Sequence, residues 1–190
     1  SSDLNERVVI RHAGLSFASR TQVDGNFSTV LPAMKTDAMV AVYLQDSRLV
    51  LGRIDVPEAA RYSRLALVWE PPAELELRVT DGYKVLVGNS TPMPGEEQRV
   101  IALGQQSVQS PVLARVYSVP GPDLGHVDIT GEMRITPASC GRTLRLETVY
   151  SSGGVATQSE REVAVPLCGT AGDILLLKNL GAPLKLAAPK

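Results

Sequence analysis

The residues able to do chemistry in this 190-residue chain are few: Cys140, Cys168, His12, His126 and a dispersed set of carboxylates. An even cysteine count is compatible with one disulfide. Each cysteine sits in a turn-like context and precedes a glycine, Pro137-Ala-Ser-Cys140-Gly141 and Pro166-Leu-Cys168-Gly169. Two strand-like runs, Thr143–Tyr150 and Val155–Val165, lie between them, joined at Ser151-Ser152-Gly153-Gly154. Strand residues rise about 3.3 Å each, so two arms of similar length return their outer ends to one place. Cys140 lies 11 residues before Ser151 and Cys168 lies 14 after Gly154, a mismatch that a bulge or the cysteine loops can absorb. The expectation is a Cys140–Cys168 disulfide stapling this hairpin, and with it an oxidising compartment, periplasm or exterior. The competing reading is two free thiols in a cytosolic protein.

Other chemistries lack their residues. Two separated cysteines and two histidines over a hundred positions apart match no compact metal-ligand spacing, so no metal site is expected. His12 and His126 each adjoin a strand-like segment and read as surface or edge-strand histidines. The nucleophile elbow Gly-x-Ser-x-Gly and both glycine-rich phosphate loops are missing, so no catalytic residue and no cofactor is assigned. Asp24-Gly25-Asn26 falls short of a calcium loop. Glu74, Glu76, Glu96 and Glu97 read as solvated faces. Gly121-Pro-Asp123-Leu-Gly125 reads as a turn. Arg11, Arg20, Arg48, Arg53, Arg61 and Arg64 would form a basic patch only if the strands aligned them. Asn26-Phe27-Ser28 and Asn89-Ser90-Thr91 match the glycosylation tripeptide, without further support from composition.

The elements that must carry these residues are strands. Leu75, Leu77 and Val79 alternate with Glu76, Arg78 and Thr80, and Val127 and Ile129 alternate with Asp128 and Thr130. Met133 and Ile135 continue that second face past Gly131, which marks a possible bulge. One buried and one wet face is the mark of antiparallel sheets. Short strands at regular spacing, cut by Gly, Pro, Asn and Ser, point to an all-β antiparallel sandwich of immunoglobulin-like or transthyretin-like type. Fourteen such runs are read, including Asn26–Val30, Ala38–Leu44, Leu49–Asp55 and Arg64–Glu70. Val40, Val42, Leu65, Leu67, Leu75, Leu77, Val79, Val127, Ile129, Leu144, Leu146 and Val163 are the expected core. Helix is confined to one or two turns near residues 56–63, with Asp55 as cap and Glu58 at the capping-box offset.

Residues 1–80 read as one sandwich, 81–95 as a linker or long loop around Asn89-Ser-Thr-Pro92-Met-Pro94-Gly95, and 96–190 as a second sandwich holding the disulfide. The alternative is one single β domain. The tail from Gly181 reads as a loose end or last edge strand.

Apolar residues make up 44% of the chain and aromatic residues 4%, with net charge −1. Scattered Lys and Arg give no phosphate-binding stripe, so nucleic acid is a poor partner. No run of about 18 apolar residues exists, so no transmembrane segment is expected in this chain. It begins in polar residues at Ser1, as a trimmed or mature form would, and a lipid anchor upstream stays open.

Asp24-Gly25 supplies a tight turn, Phe27, Thr29 and Leu31 share one side of the extended segment that follows, and Ala38–Leu44 is strand-like. On Thr21-x-x-Asp24-Gly25-x-Phe27-x-x-x-Leu31-Pro32 and that strand, residues 14–56 resemble a carboxypeptidase-regulatory-like or transthyretin-like domain. Ala33-Met-Lys-Thr-Asp37 replaces the short Gly-rich turn usual in that family. The resemblance implies an extracytoplasmic accessory or scaffold module rather than a catalytic domain.

The favoured function is a non-enzymatic extracytoplasmic module acting by protein contact: an envelope scaffold, a surface-assembly or secretion accessory, or an adhesion module. Sheet edges bind partners by strand addition, which needs backbone more than special side chains. The alternative is a carbohydrate-binding sandwich using Tyr43, Tyr62, Trp69, Tyr83, Tyr117 or Tyr150, and behind it a small hydrolase.

Overall fold

The computed structural model describes residues 5–45, 47–88 and 99–180. The Asn89–Gly95 loop signal, Glu96-Glu97 and the tail from Gly181 fall outside them. The architecture is all-β and sandwich-like, with three antiparallel sheets. The first sheet holds β1 (Arg7–His12), β2 (Leu15–Arg20), β3 (Asp37–Leu44) and β4 (Leu49–Asp55) in the order β2-β1-β3-β4. The second holds β5 (Tyr62–Trp69), β8 (Arg99–Leu103), β9 (Leu113–Pro120), β11 (Thr143–Ser152) and β12 (Val155–Ala164), ordered β12-β11-β5-β9-β8. The third holds β6 (Glu74–Asp81), β7 (Lys84–Leu86), β10 (Asp128–Arg134) and β13 (Ile174–Leu177), ordered β13-β10-β6-β7.

The second sheet is the middle layer. Leu65, Leu67 and Trp69 of β5 pack with Leu75, Leu77, Val79 and Met133 of the third sheet. Ala66 and Val68, on the opposite face, pack with Val8, Ile10, Leu15 and Phe17 of the first. The unbroken apolar run Leu65-Ala66-Leu67-Val68-Trp69 follows from this, because both faces of β5 meet a core. The twelve expected core residues all lie on inward faces. Leu65, Leu67, Leu75, Leu77, Val79, Leu144 and Leu146 are buried, and Val40, Val42, Val127, Ile129 and Val163 are half-buried against the clusters. Strands from either side of residues 81–95 pair with one another, β5 with β9 and β11, and β6 with β10.

The disulfide joins Cys140 to Cys168 with a Cα–Cα distance of 4.9 Å. It closes the open end of the β11–β12 hairpin. The hairpin loop is shorter than expected: the ladder runs to Ser152↔Val155, leaving only Gly153 and Gly154, both at positive φ. That two-residue turn matches strand twist. The ladder continues beyond Thr143↔Ala164 through Val165 N–H to Arg142 O and Gly141 N–H to Pro166 O, so no bulge is needed.

Four local expectations are corrected. Asn26–Val30 forms no ladder. Its backbone curls at Asp24–Asn26, while Phe27 and Leu31 lean half-buried onto the first core. Gly131 marks no bulge, since β10 pairs in register with β6 straight through Gly131↔Leu77. Glycine fits closely there, since a Cβ would crowd Leu177 Cβ at 3.2 Å and Leu180 Cδ1 at 3.3 Å. The helical piece is a 3-10 turn, Pro57–Arg61, entered from Val56 without a side-chain cap. Asp55 ends β4 instead, and Glu58 pairs with Arg61 at 2.9 Å.

Candidate interaction surface

His12 is not a surface histidine. It is buried at the end of β1, where the two-residue Ala13-Gly14 turn begins. Its Nδ1–H donates to Met39 O at 3.0 Å, and its Nε2 accepts Met34 N–H at 2.9 Å. With one nitrogen donating and the other accepting, the ring is neutral. Burial holds its pKa below the ordinary imidazole value, with Lys35 and Arg64 adding to the effect and the Met39 carbonyl opposing it. His12 therefore clips the 34–39 segment to β1, and no lone pair is left for catalysis. His126 is exposed in the loop before β10.

The remaining candidates are also engaged locally. Asp24 accepts both the backbone N–H and the side-chain amide of Asn26, each at 2.9 Å, which lowers its pKa. Asp123 accepts Gly125 N–H at 2.8 Å, the expected turn. Glu76 is more than a solvated face: its Oε1 accepts from Arg115 Nε at 2.9 Å and Gly88 N–H at 3.2 Å. The six first-half arginines form no patch. Arg11 lies over Tyr43, Arg20 donates to Ser107 O, Arg53 pairs with Asp37, Arg61 with Glu58, and buried Arg64 lies over Tyr62. Arg48 lies at the entry to β4. Among the described residues no three His, Cys, Asp or Glu side chains gather to hold a metal ion.

A cleft of about 1010 Å³ opens where the His12 end of the first sheet faces β11 and β12. Its walls carry both signs of charge, including Arg11, Lys35, Glu70, Arg145 and Glu160. Trp69 borders the cleft but is 3% exposed, and Tyr117 is fully buried. The exposed aromatics, Tyr43 on β3 and Tyr83 in the β6–β7 turn, stand on different sheets. A flat aromatic platform for a sugar is therefore not presented in the cleft.

The outstanding surface is β4. It is exposed along its whole length. Leu51 is 60% exposed on one face and Ile54 61% on the other, with Leu49 and Val50 about half exposed. Met39 and Tyr43 of β3 extend the outer apolar face. Leu44 N–H donates to Arg48 O and Val56 N–H to Thr36 O, so even-numbered β4 residues point their backbone groups at β3. By the antiparallel alternation, Leu49, Leu51, Arg53 and Asp55 point theirs outward.

Natural edges are normally blunted by charge, proline, shortness or a covering loop. Four of the other five sheet edges follow that rule. The 104–112 loop covers β2, with Ala18 N–H donating to Val112 O and Gln105 N–H to Ala18 O. β12 carries Glu160, Arg161 and Glu162, and β7 and β13 have three and four residues. β4 has none of these guards across Leu49-Val50-Leu51-Gly52.

No protein-family model matches the chain, and comparison with curated proteins and solved structures returns no match.

The sequence located β4 but not its exposure. Three consecutive apolar residues suit a strand covered on both faces or an uncovered edge equally well. The only hint was Gly52-Arg53 cutting the run short.

Proposed function

We propose that this protein is a non-enzymatic extracytoplasmic module that works by protein contact, with the β4 edge as its docking surface. The observation that carries the reading is a seven-residue edge strand, unguarded across Leu49–Gly52, with apolar side chains exposed on both faces. Such an edge offers four outward backbone pairs for strand addition, and alternate side chains on each face for specificity. The reading is also supported by the disulfide, which fits an oxidising compartment such as the periplasm or exterior. The engaged state of His12 gives no support to hydrolysis.

The test is site-specific photocrosslinking in the producing cell. A photoreactive residue at Leu49 or Ile54 is expected to give a discrete protein adduct, and one at Tyr83, exposed on the third sheet, is not. Equal labelling from Tyr83, or no adduct from β4, rejects the reading. A glycan-array hit that survives β4 substitution would favour the cleft instead.

A further inference from the structure

We infer that the occupant of the β4 edge is β4 of a second copy of this chain, paired antiparallel about a two-fold axis at Gly52. The inference rests on the contact reading above and names its partner.

Only the register centred on Gly52 pairs all seven residues of β4, Leu49–Asp55, with the same seven of the second copy. A two-fold axis perpendicular to the sheet preserves faces, so it must pass beside a residue that opposes its own copy. Centred on Gly52, Leu51 opposes Arg53 of the second copy and Leu49 opposes Asp55, and the reverse. These four residues are the ones whose N–H and C=O groups point outward, so each opposed pair can exchange two hydrogen bonds. On the other face Val50 opposes Ile54 of the second copy. Both are more than half exposed in the single chain, and their contact covers the gap above the paired glycines. A Cβ at Gly52 would touch nothing within 4 Å of its own chain, so the sheet face above the paired glycines has room for those two side chains.

Charge agrees with this register. β4 is entered from Arg48 and ends at Asp55. In this register no two like charges stand directly opposite, since Arg53 faces Leu51 and Asp55 faces Leu49 of the second copy. Arg53, the one cation inside the strand, is already paired with Asp37 of its own chain at 2.9 Å, so the two arginines flanking the axis do not meet as bare charges. Centring on Arg53 would oppose the two arginines directly and bring Leu49 against Pro57, which has no N–H to give. Centring on Leu51 would set Ile54 against Arg48 and lose the Val50–Ile54 contact.

Sedimentation of the full chain across a concentration series, with two substitutions, tests this. The wild type is expected to shift from one chain mass towards two. Leu51→Pro removes a donor that β3 does not use, at an edge where proline is tolerated. It should weaken self-association at least about tenfold, the equivalent of about 1.4 kcal/mol, while circular dichroism stays unchanged. Gly52→Cys places two thiols in a pair without backbone bonds, about 4.5 Å apart at Cα, inside the range a disulfide spans. It should crosslink under mild oxidation, whereas Leu51→Cys, set on a diagonal of about 7–8 Å, should not. Both native cysteines are already bonded, so the new thiol reacts alone. If Leu51→Pro perturbs the fold, the crosslinking pair decides. A wild type that stays monomeric, a dimer indifferent to Leu51→Pro, or crosslinking favoured at Leu51 overturns the self-pairing. A monomeric wild type that still photocrosslinks a different protein through Leu49 overturns the self-pairing and leaves the contact reading standing.

Discussion

A histidine held by a carbonyl on one nitrogen and an N–H on the other has a defined cost of protonation. Taking up a proton would convert the Nε2 acceptor of His12 into a donor facing Met34 N–H, inside the first core. Its pKa in the folded chain lies below the ordinary value. In the window between that lowered value and about 6.5, the unfolded chain binds a proton that the folded chain refuses. The sign follows: the contribution of His12 is fully present above pH 6.5 and is lost as pH falls through that window. His12→Gln keeps one donor and one acceptor at this position but cannot titrate. Urea unfolding between pH 7 and pH 5 should therefore show a steeper loss for the wild type, by up to about 1.4 kcal/mol per pH unit. Parallel slopes for the two chains would mean that His12 is free to protonate in the fold.

At the scale of elements, the β11–β12 hairpin is pinned at both ends. Its turn docks on the 34–36 segment: Ser151 Oγ donates to Met34 O at 2.6 Å, and a Cβ on Gly154 would lie 2.5 Å from Thr36 Cγ2. Its open end is closed by Cys140–Cys168, whose sequence separation is 28. In the chain-entropy model a loop of that length contributes about 3–4 kcal/mol by restricting the unfolded chain. Replacing both cysteines with alanine should lower unfolding free energy by about that amount, measured in denaturant. A loss under about 1 kcal/mol would place the stability of the hairpin in its ladder and its turn contacts. The pairing was legible in the sequence because two arms of near-equal length bracketed a Gly-Gly turn. The register was not legible, because Ser151 and Ser152 look like turn residues and only the ladder shows them to be strand.

At the scale of the whole molecule, the strand faces were legible and the layering was not. Alternation in Leu75–Thr80 and Val127–Thr130 fixes which side is wet, since a one-residue slip would invert every side chain. Alternation cannot say how many sheets share a core. Nor could the residues at β4 reveal an uncovered edge, because exposure depends on how far the first sheet overhangs the second. The shared middle sheet has a consequence for folding. Leu67 and Val68 are neighbours on β5, yet Leu67 faces the core with the third sheet and Val68 the core with the first. Neither outer sheet can lose its core without uncovering one face of β5, and both ladder partners of β5, with the β10 partner of β6, lie beyond residue 98. Denaturation should therefore be a single transition, in which Leu67→Ala costs about 2–5 kcal/mol and Val68→Ala moves the same midpoint in the same direction. Fragments 1–88 and 99–190 expressed separately should show no cooperative unfolding. Two transitions, with Leu67→Ala moving one and Val68→Ala the other, would show that the two cores fold independently and that β5 belongs to each in turn.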